Sequence, residues 1–301
     1  MSNYELETRN NIKEAIIRVI VFFDLFDYPL TANELWNYLD KKYSLLKIVD
    51  ALAADTMIEQ KNGLYFLAGR EEILIIRQRR HNYSIRKIKI ANHFSRFFRL
   101  LPFIKLIAVA NSIGQYNLRD GSDIDFFIIT SPRRIWLTRF ICAGMAKILN
   151  RRPTDTNKRD KICLSFYITE ENLNLDELQL SAGDPYFFFW LRSLVLLYNK
   201  DNLYEKFLAA NKLSPVNSFP DSPEKLPEKI HRPARFGLDY LESLAKKIQL
   251  IIMSPALKKA MNKSAGVVIN DKILKFYLKD NRQLFAEKYG NKIRQIFTEN
   301  N

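Results

Sequence analysis

IAVANSIGQYNLRDGSDIDFFIITS, residues 107–131, is the stretch that decides which fold is predicted for this chain. Two apolar runs flank a polar loop, and the second run begins with Asp123 and Asp125. In an extended strand, residues i and i+2 point to the same face, so the two carboxylates project together while Ile124 points the opposite way. Two like charges this close are unfavourable unless a cation or protons neutralise them. The pattern therefore predicts a metal site at the start of a core strand.

The polar loop adds features that are typical of phosphate binding. Mg²⁺, with Mn²⁺ as the alternative metal, suits the pair because it takes one or two carboxylates together with phosphate oxygens. A turn that follows a strand can hold phosphates through its backbone N–H groups and a serine hydroxyl. The loop offers such groups at Asn111, Ser112, Gly114, Gly121 and Ser122. A bare D-x-D can also be a simple loop cap, but these flanking residues favour phosphoryl or nucleotidyl transfer.

Residues 107–130 resemble the nucleotidyltransferase domain of the DNA polymerase β-like superfamily, in which a strand and a Gly-Ser turn precede a strand with D-x-D. Ser112 matches the serine of the turn, and residues 122–125, SDID, match the carboxylate motif. The whole layout is similar to a group of uncharacterised bacterial nucleotidyltransferase-like proteins with an N-terminal winged helix. The resemblance implies that Asp123 and Asp125 are catalytic metal ligands and that Ser112 holds the phosphates of an NTP.

Two positions depart from the pattern of the superfamily. Asn111 stands where the turn usually has glycine, although asparagine tolerates left-handed backbone better than most residues. The superfamily also brings a third carboxylate from a later strand, for which residues 162–168 are the candidate. Strand alternation places three residues without a carboxylate on one face of that strand: Cys163, Ser165 and Tyr167. The nearest acids, Asp155 and Asp160, precede the strand.

These departures leave two functional hypotheses. The first is an Mg²⁺-dependent nucleotidyltransferase that moves a nucleoside monophosphate from an NTP to an unidentified acceptor, which is a small molecule, a protein or a nucleic acid. The second is a catalytically degenerate relative that acts as a nucleotide-binding or partner-binding regulatory module, with nucleic acid among the partners. The missing third carboxylate and Asn111 are the features that favour the second hypothesis.

The predicted fold is α/β, with a small mixed sheet as the nucleotidyltransferase-like core and helices on its flanks. We expect five segments: a winged helix-turn-helix module (1–69), a basic helical connector (70–99), the core (100–213), a proline-rich linker (214–233) and a helical C-terminal region (234–301). In the N-terminal module, Thr31 and Glu34 match a capping box, and Asn62-Gly63 predicts a tight hairpin after a helix over residues 45–56.

The third helix of the N-terminal module and the basic connector are the two candidate surfaces for nucleic acid, and we favour another role for each. The third helix of the N-terminal module has a neutral to acidic predicted outer face: Lys47, Asp50, Ala51, Ala54 and Asp55. We therefore expect it to pack on the core or on a partner rather than to recognise a DNA sequence. From Arg77 onward the connector has eight cations: Arg77, Arg79, Arg80, Arg86, Lys87, Lys89, Arg96 and Arg99. Its interleaved aromatics suit nucleic acid, but we favour the alternative of an amphipathic helix with core aromatics and solvated cations.

Three further helix predictions concern the rest of the chain. Ser131-Pro132 is typical of a helix start, with serine as the cap and proline in the first turn. The following Arg133 and Arg134 would then be solvated surface residues. The aromatic segment 185–198 predicts a buried helix, and the C-terminal region has predicted helix starts near Asn270 and Asp280.

Composition sets the remaining expectations. The 301-residue chain has a formal net charge of +14, which favours phosphate-bearing partners. Its polar N-terminus lacks a signal-peptide core, and its longest apolar run, interrupted by Arg192, is too short to span a bilayer. Cys142 and Cys163 lie in apolar segments and form no zinc motif. We therefore expect a cytoplasmic protein with reduced core thiols and no membrane partner.

Overall fold

The computed structural model of the protein describes residues 3–39, 43–53, 55–110, 114, 116–181, 184–213 and 235–298, and over these it is a mixed α/β protein with two sheets. The helices are α1 (Asn3–Asp24), α2 (Ala32–Tyr38), α3 (Leu45–Ala53), α4 (Ile73–Phe98), α5 (Ile135–Ile148), α6 (Pro185–Arg192), α7 (Leu203–Ala210), α8 (Arg235–Ile252), α9 (Pro255–Ala260) and α10 (Arg282–Thr298). The strands are β1 (Leu30–Thr31), β2 (Ile58–Lys61), β3 (Leu64–Leu67), β4 (Ile104–Ala110), β5 (Ile124–Thr130), β6 (Ile162–Thr169), β7 (Val195–Asn199), β8 (Val267–Ile269) and β9 (Ile273–Phe276). The predicted linker 214–233 lies outside the described residues.

The N-terminal unit, residues 3–67, combines α1 to α3 with a three-stranded antiparallel sheet in the order β1-β3-β2. The predicted capping box is confirmed, because the Thr31 hydroxyl accepts from the Glu34 N–H and the Glu34 carboxylate accepts from the Thr31 N–H at 2.8 Å. The predicted hairpin is confirmed as well, since Asn62 and Gly63 are both left-handed, with φ of 54° and 75°.

The exposed part of α3 is more apolar than the sequence predicts. Ala51, expected on the outer face, is buried, whereas Leu46 and Val49 are exposed. The reason is that the helix turns Ile48 and Ala51 toward α1 and leaves the apolar residues between them outside. Ala54 lies outside the described residues.

A six-stranded mixed sheet in the order β7-β4-β5-β6-β9-β8 organises the rest of the chain. β5 and β6 run parallel, and every other neighbouring pair in this sheet is antiparallel. The three strands predicted from the sequence are confirmed as β4, β5 and β6. All seven residues of β5 are buried, as expected for a strand covered on both faces.

The helix predicted over residues 185–198 is right only in its first half. α6 ends at Arg192, and Val195–Asn199 forms β7, which pairs antiparallel with β4. A short apolar run suits a strand or a helix equally by its pattern alone. The edge of β4 decides between them, because it offers backbone partners along the length of β7.

The C-terminal region is not purely helical, and it belongs to the same sheet as the core. β8 and β9 form a hairpin, and β9 pairs with β6, so the core extends well beyond residue 213. The helix start predicted near Asn270 is wrong: its side chain accepts from the N–H groups of Lys272 and Ile273 in the hairpin turn. Near Asp280 the prediction holds, since α10 begins at Arg282 and the Asp280 carboxylate accepts from the Arg282 N–H.

The predicted start of α5 at Ser131-Pro132 is also wrong. The helix begins at Ile135, and its first N–H groups donate to the Glu242 carboxylate of α8, Trp136 at 2.9 Å and Leu137 at 2.8 Å. A distant acid thus takes the place of the local serine cap. Arg134 is 9 % exposed and pairs with Asp239 at 2.7 Å, so the solvated surface expected for it is not found.

The connector prediction is confirmed as a helix, α4, but neither expected role for its cations describes them fully. Phe94 and Phe98 lie in the core, as the amphipathic alternative expects. Four cations, however, are engaged by protein partners: Arg77 by Glu34, Arg80 by Asp27, Arg86 by Asp120 and Lys87 by Asp160. These bonds tie α4 to the N-terminal unit on one side and to the loops before β5 and β6 on the other.

The six-stranded sheet separates two apolar layers. One face, which includes Phe127 and Phe166, packs against α6, α7 and the N-terminal unit. The other face is covered by α4, α5 and α8. Asp125 precedes Phe127 by two residues on the same strand, so its side chain opens toward the layer shared with the N-terminal unit.

Over the described residues, no helix combines the length and the hydropathy that a membrane crossing requires. Both cysteines are free thiols.

Candidate metal and nucleotide site

The start of β5 brings the two predicted carboxylates together with a thiol. Asp125 stands in register with Ala110 of β4 and with Cys163 of β6. One carboxylate oxygen each of Asp123 and Asp125 and the Cys163 Sγ all lie within 4.8 Å of one another. Asp125 is 9 % exposed, whereas Asp123 and Cys163 are half-buried. The prediction that the two carboxylates project together is confirmed, and Cys163 joins them from β6, the strand on which the resemblance implies a third carboxylate at Ser165 or a neighbour.

The face predicted for β6 needs a correction at Tyr167. Cys163 and Ser165 do share a face, because the Cys163 Sγ lies 3.0 Å from the Ser165 Oγ. Tyr167 instead packs in the opposite layer with α5. The pairing register shifts between Asp125 and Phe127, so β6 has one extra residue there and its alternation reverses.

Burial raises the pKa of the Cys163 thiol well above its usual range, and the negative charges of Asp125 and Asp123 raise it further. The thiol is therefore protonated at neutral pH and acts as a donor toward Asp125 and as a neighbour of the Ser165 hydroxyl. A metal that used this sulfur as a ligand would first have to displace its proton.

The donor set decides which metals fit. Asp123 and Asp125 are the hard oxygen donors that Mg²⁺ and Mn²⁺ take, with phosphate oxygens and water completing the shell. The Cys163 sulfur is a soft donor that suits Zn²⁺ and similar ions better. The residues present thus fit Mg²⁺ as a site with two carboxylates. Within the described parts of the chain, the third member of the cluster is a thiol and not an acid.

A buried lysine fixes the loop that leads into the pair. Lys87 of α4 is fully buried, and its Nζ donates to the Ser122 carbonyl at 2.6 Å and to Asp160 Oδ1 at 3.0 Å. The Asp160 N–H donates to the same carbonyl at 3.3 Å. Asp160, one of the acids that the sequence places nearest to the site, therefore holds the loop in position and is not a member of the metal cluster.

Two other side chains of α4 support the same loop. The Ser84 hydroxyl accepts from the Leu118 N–H at 2.8 Å, and Arg86 pairs with Asp120 at 2.6 Å. The sequence-based prediction missed these positioning residues. The signal was present, because Ser84 and Lys87 continue the helical stripe of the buried α4 residues: Ala91, Phe94 and Phe98.

The residues predicted to grip phosphate are only partly described. Asn111 and Ser112 lie outside the described residues. Gly121 is exposed, and the Ser122 hydroxyl donates to the Arg119 carbonyl at 2.9 Å, inside the loop. Gly114 is buried, and its N–H donates to the Ser193 hydroxyl at 3.1 Å, so this amide is already engaged.

Gly114 is also the point at which the N-terminal unit meets the loop. Its φ is +84°, and a Cβ there would lie 2.8 Å from the ring of Tyr28. The Tyr28 hydroxyl donates to Glu34 at 2.5 Å, and the Arg77 guanidinium lies 4.4 Å from the ring centroid. The close approach therefore requires glycine, and it couples the position of the loop to the N-terminal unit.

No model of a protein family, no curated protein and no solved structure matches this chain.

Proposed function

We propose that the protein is a metal-dependent nucleotidyltransferase that uses an NTP as the donor and Mg²⁺, or alternatively Mn²⁺, as the cofactor. The observation that carries this proposal is the pair Asp123 and Asp125 at the start of a buried strand, with the preceding loop fixed by Lys87. A loop cap needs only one carboxylate, whereas two carboxylates within 4.8 Å of each other repel, and a bound cation would relieve that repulsion.

In the proposed reaction an oxygen of the acceptor forms a bond to the α-phosphorus of the NTP. The bond from that phosphorus to the bridging oxygen breaks, pyrophosphate leaves with the electron pair, and the proton of the acceptor passes to solvent. Asp123 and Asp125 would hold the metal, and the turn at Asn111-Ser112 together with the backbone at Gly121-Ser122 would hold the phosphates. A bound Mg²⁺ would supply charge neutralisation and alignment of the phosphates.

The proposal includes a winged-helix module at the N-terminus and a nucleotidyltransferase-like core. The order α1–α2–α3 followed by a β2–β3 hairpin supports a winged-helix module. The order β4, loop, β5 and β6, with the acids at the start of β5, supports a nucleotidyltransferase-like core. The exposed Leu46 and Val49 on α3 favour a packing role for this module over DNA recognition, since phosphate and base contacts need polar side chains.

Cys163 supports a second candidate, a degenerate relative that binds nucleotide without transferring it. The thiol lies on the strand from which the resemblance implies a third carboxylate, in register with Asp125, and it is uncharged at neutral pH. A site with two carboxylates then lacks the ligand that would support a second metal.

Nucleotidyl transfer can be tested with each α-labelled NTP, Mg²⁺ or Mn²⁺, and a cell extract as the source of acceptors. We expect label transfer by the wild-type protein and its loss in Asp125→Asn. Asp155→Asn is the matched control, because Asp155 is an exposed acid outside the cluster. NTP binding without transfer or pyrophosphate release, with either metal, would refute the enzyme and leave the second candidate.

Cys163→Asp separates the two candidates by metal binding as well as by activity. If the thiol is what weakens the site, the variant should bind Mn²⁺ about tenfold more tightly, equivalent to about 1.4 kcal/mol, as measured by electron paramagnetic resonance. Cys142→Ser is the control at a buried thiol in the opposite layer. Equal Mn²⁺ affinity in Cys163→Asp and wild type would show that position 163 is not part of the metal site.

A further inference from the structure

A separate cavity of about 210 Å³ lies between α6, the β6–β9 pair and the start of α10. It shares a face of the sheet with Asp125, and Tyr186 connects the two places. Burial raises the pKa of the Tyr186 hydroxyl to about 12, while nearby Arg282 lowers it and the charges of Asp280 and Asp125 raise it. The Tyr186 hydroxyl is thus influenced by charges of the cavity and by the charge of Asp125.

Half of the twelve residues that line the cavity are aromatic. Its aromatic lining residues are Phe166, Tyr186, Phe187, Trp190, Tyr277 and Phe285. Phe166 and Trp190 stack at 20° with centroids 5.5 Å apart, and Tyr186 and Phe285 stack at 27° with centroids 5.9 Å apart. Such surfaces bind a planar apolar group by offset stacking and by burial of its area.

The charged groups of the cavity leave one buried amine without a counter-ion. Lys275 is 6 % exposed, and its Nζ donates to the Ala265 carbonyl at 2.6 Å. No carboxylate among the described residues lies within salt-bridge distance of this amine, because Asp280 is held by Arg282 at 2.6 Å. The Nζ also lies 5.6 Å from the centroid of the Phe166 ring and 5.9 Å from that of the Tyr277 ring. The protonated amine is therefore stabilised by a carbonyl and two ring faces, but it has no salt bridge to a carboxylate of the described residues.

The other charged residues of the lining leave the net charge of the cavity positive. Arg282 is 8 % exposed and binds the Leu178 carbonyl as well as Asp280, and Lys279 adds an exposed cation. Three cations thus line the cavity against one acid. A neutral ring would use only the aromatic walls, whereas a ring with a carboxylate would also supply the missing counter-ion of Lys275.

We propose that this cavity is a binding site for a small aromatic carboxylate, with the ring between the aromatic walls and the carboxylate on the Lys275 amine. The volume of about 210 Å³ suits a molecule of one or two rings. Binding requires neither metal nor nucleotide, so this proposal is independent of nucleotidyl transfer.

Binding should depend on pH through Lys275. Burial and the nearby charge of Arg282 lower the pKa of this amine to about 7, against the opposing effects of Asp280 and Asp184. A bound carboxylate favours the protonated amine and raises its pKa. The affinity is therefore greatest below pH 7 and is lost as the pH rises through the higher pKa of the complex. Tyr186, with its pKa of about 12, remains neutral throughout this range.

The test is calorimetric titration with 2-naphthoate and with the neutral 2-naphthamide, which has the same rings. We expect naphthoate to bind at pH 6.5 at least tenfold more tightly than naphthamide, and to lose on the order of tenfold in affinity by pH 9. Lys275→Met keeps the length of the side chain and should make the two probes bind equally. Lys272→Met, at an exposed lysine of the same hairpin, should leave the preference unchanged.

Two results would overturn the proposal. One is the absence of naphthoate binding to the wild-type protein at millimolar concentration at pH 6.5. The other is a preference for naphthoate that persists in Lys275→Met. The pH dependence is measured on the wild-type protein, so it tests the role of the amine even if the variant fails to fold.

Discussion

Lys87→Met tests directly how the carboxylate pair is positioned. Methionine keeps an unbranched apolar stem in the fully buried position but removes the amine that donates to the Ser122 carbonyl at 2.6 Å and to Asp160 at 3.0 Å. The loop would then keep only the weaker 3.3 Å bond from the Asp160 N–H to that carbonyl. We therefore expect a lower free energy of unfolding and a less well defined position of the Asp123 and Asp125 carboxylates.

The magnitude follows from what each partner loses. A hydrogen bond that involves a charged group contributes about 1.5–3 kcal/mol, and the Ser122 carbonyl loses one. Removing one member of a fully buried ion pair costs about 3–5 kcal/mol. Asp160, however, keeps Arg86 at 3.2 Å and has a side chain that is 20 % exposed, so its own loss is smaller. We therefore expect the free energy of unfolding to fall by about 2–3 kcal/mol.

Urea unfolding followed by circular dichroism measures the stability, and Mn²⁺ titration by electron paramagnetic resonance measures the site. We expect about tenfold weaker Mn²⁺ binding, because Ser122 directly precedes Asp123 in the chain. Lys89→Met is the matched control: Lys89 is an exposed lysine of the same helix and should change stability by no more than about 0.5 kcal/mol.

The pH dependence gives an independent check on the same ion pair. Lys87 and Arg86 lower the pKa of Asp160, against the effect of its partial burial. The stability from this pair is therefore present above the unfolded pKa of the carboxyl and is lost as the pH falls through its lower folded value. This acid-dependent loss should shrink in Lys87→Met. If that variant instead matches Lys89→Met in stability, in Mn²⁺ affinity and in acid sensitivity, the assigned role of Lys87 is wrong.

Three further substitutions test other parts of the structure by urea unfolding. Gly114→Ala should lower the free energy of unfolding by about 2–4 kcal/mol, because the φ at this position is +84° and the new Cβ would lie 2.8 Å from the Tyr28 ring. Gly63→Ala is the control, with a φ of +75° and open space around the new Cβ, and it should lower the free energy by only about 1 kcal/mol. Equal losses in the two variants would contradict the contact with Tyr28. Glu242→Ala should cost about 1–2 kcal/mol, since two N–H groups of α5 lose their acceptor; an unchanged midpoint would show that water replaces it. The wild-type protein should become more stable between pH 7 and 10, by up to about 1.4 kcal/mol per pH unit, because Lys275 binds a proton less readily in the folded state, with its pKa of about 7, than in the unfolded chain. Lys275→Met should abolish this rise. A rise that persists in the variant would show that another group causes it.

The features that the sequence predicted correctly are local ones. The alternation around Asp123 and Asp125, the capping box at Thr31 and the Asn62-Gly63 turn each depend on residues within a few positions of one another. Their geometry is therefore encoded in short segments, and the structure confirms it.

The errors arose where a distant residue supplied the deciding contact. Glu242 caps α5 from more than a hundred positions away, so the local serine and proline signal did not fix the start of the helix. The edge of β4 turned the end of an apparent aromatic helix into β7. A one-residue register shift in β6 reversed the face of Tyr167, and strict alternation cannot anticipate such a shift.

Lys87 shows why the residues that position the loop could not be predicted from the sequence. A lysine among other cations is expected on a solvated surface, and its partners, Ser122 and Asp160, lie 35 and 73 positions further along the chain. Only its place on the buried stripe of α4 distinguished it from the exposed Lys89.

The pairing of β6 with β9 has a consequence for the order of events on the ribosome. β6 lies beside the carboxylate strand, yet its second neighbour emerges only after about a hundred more residues have been synthesised. At about 5–20 residues per second, β6 would wait on the order of 5–20 s with one edge unpaired. During that time Phe166 and Ile168 present an apolar template for intermolecular pairing. The cluster of Asp123, Asp125 and Cys163 therefore depends on a strand that remains exposed to aggregation until the C-terminal hairpin is made.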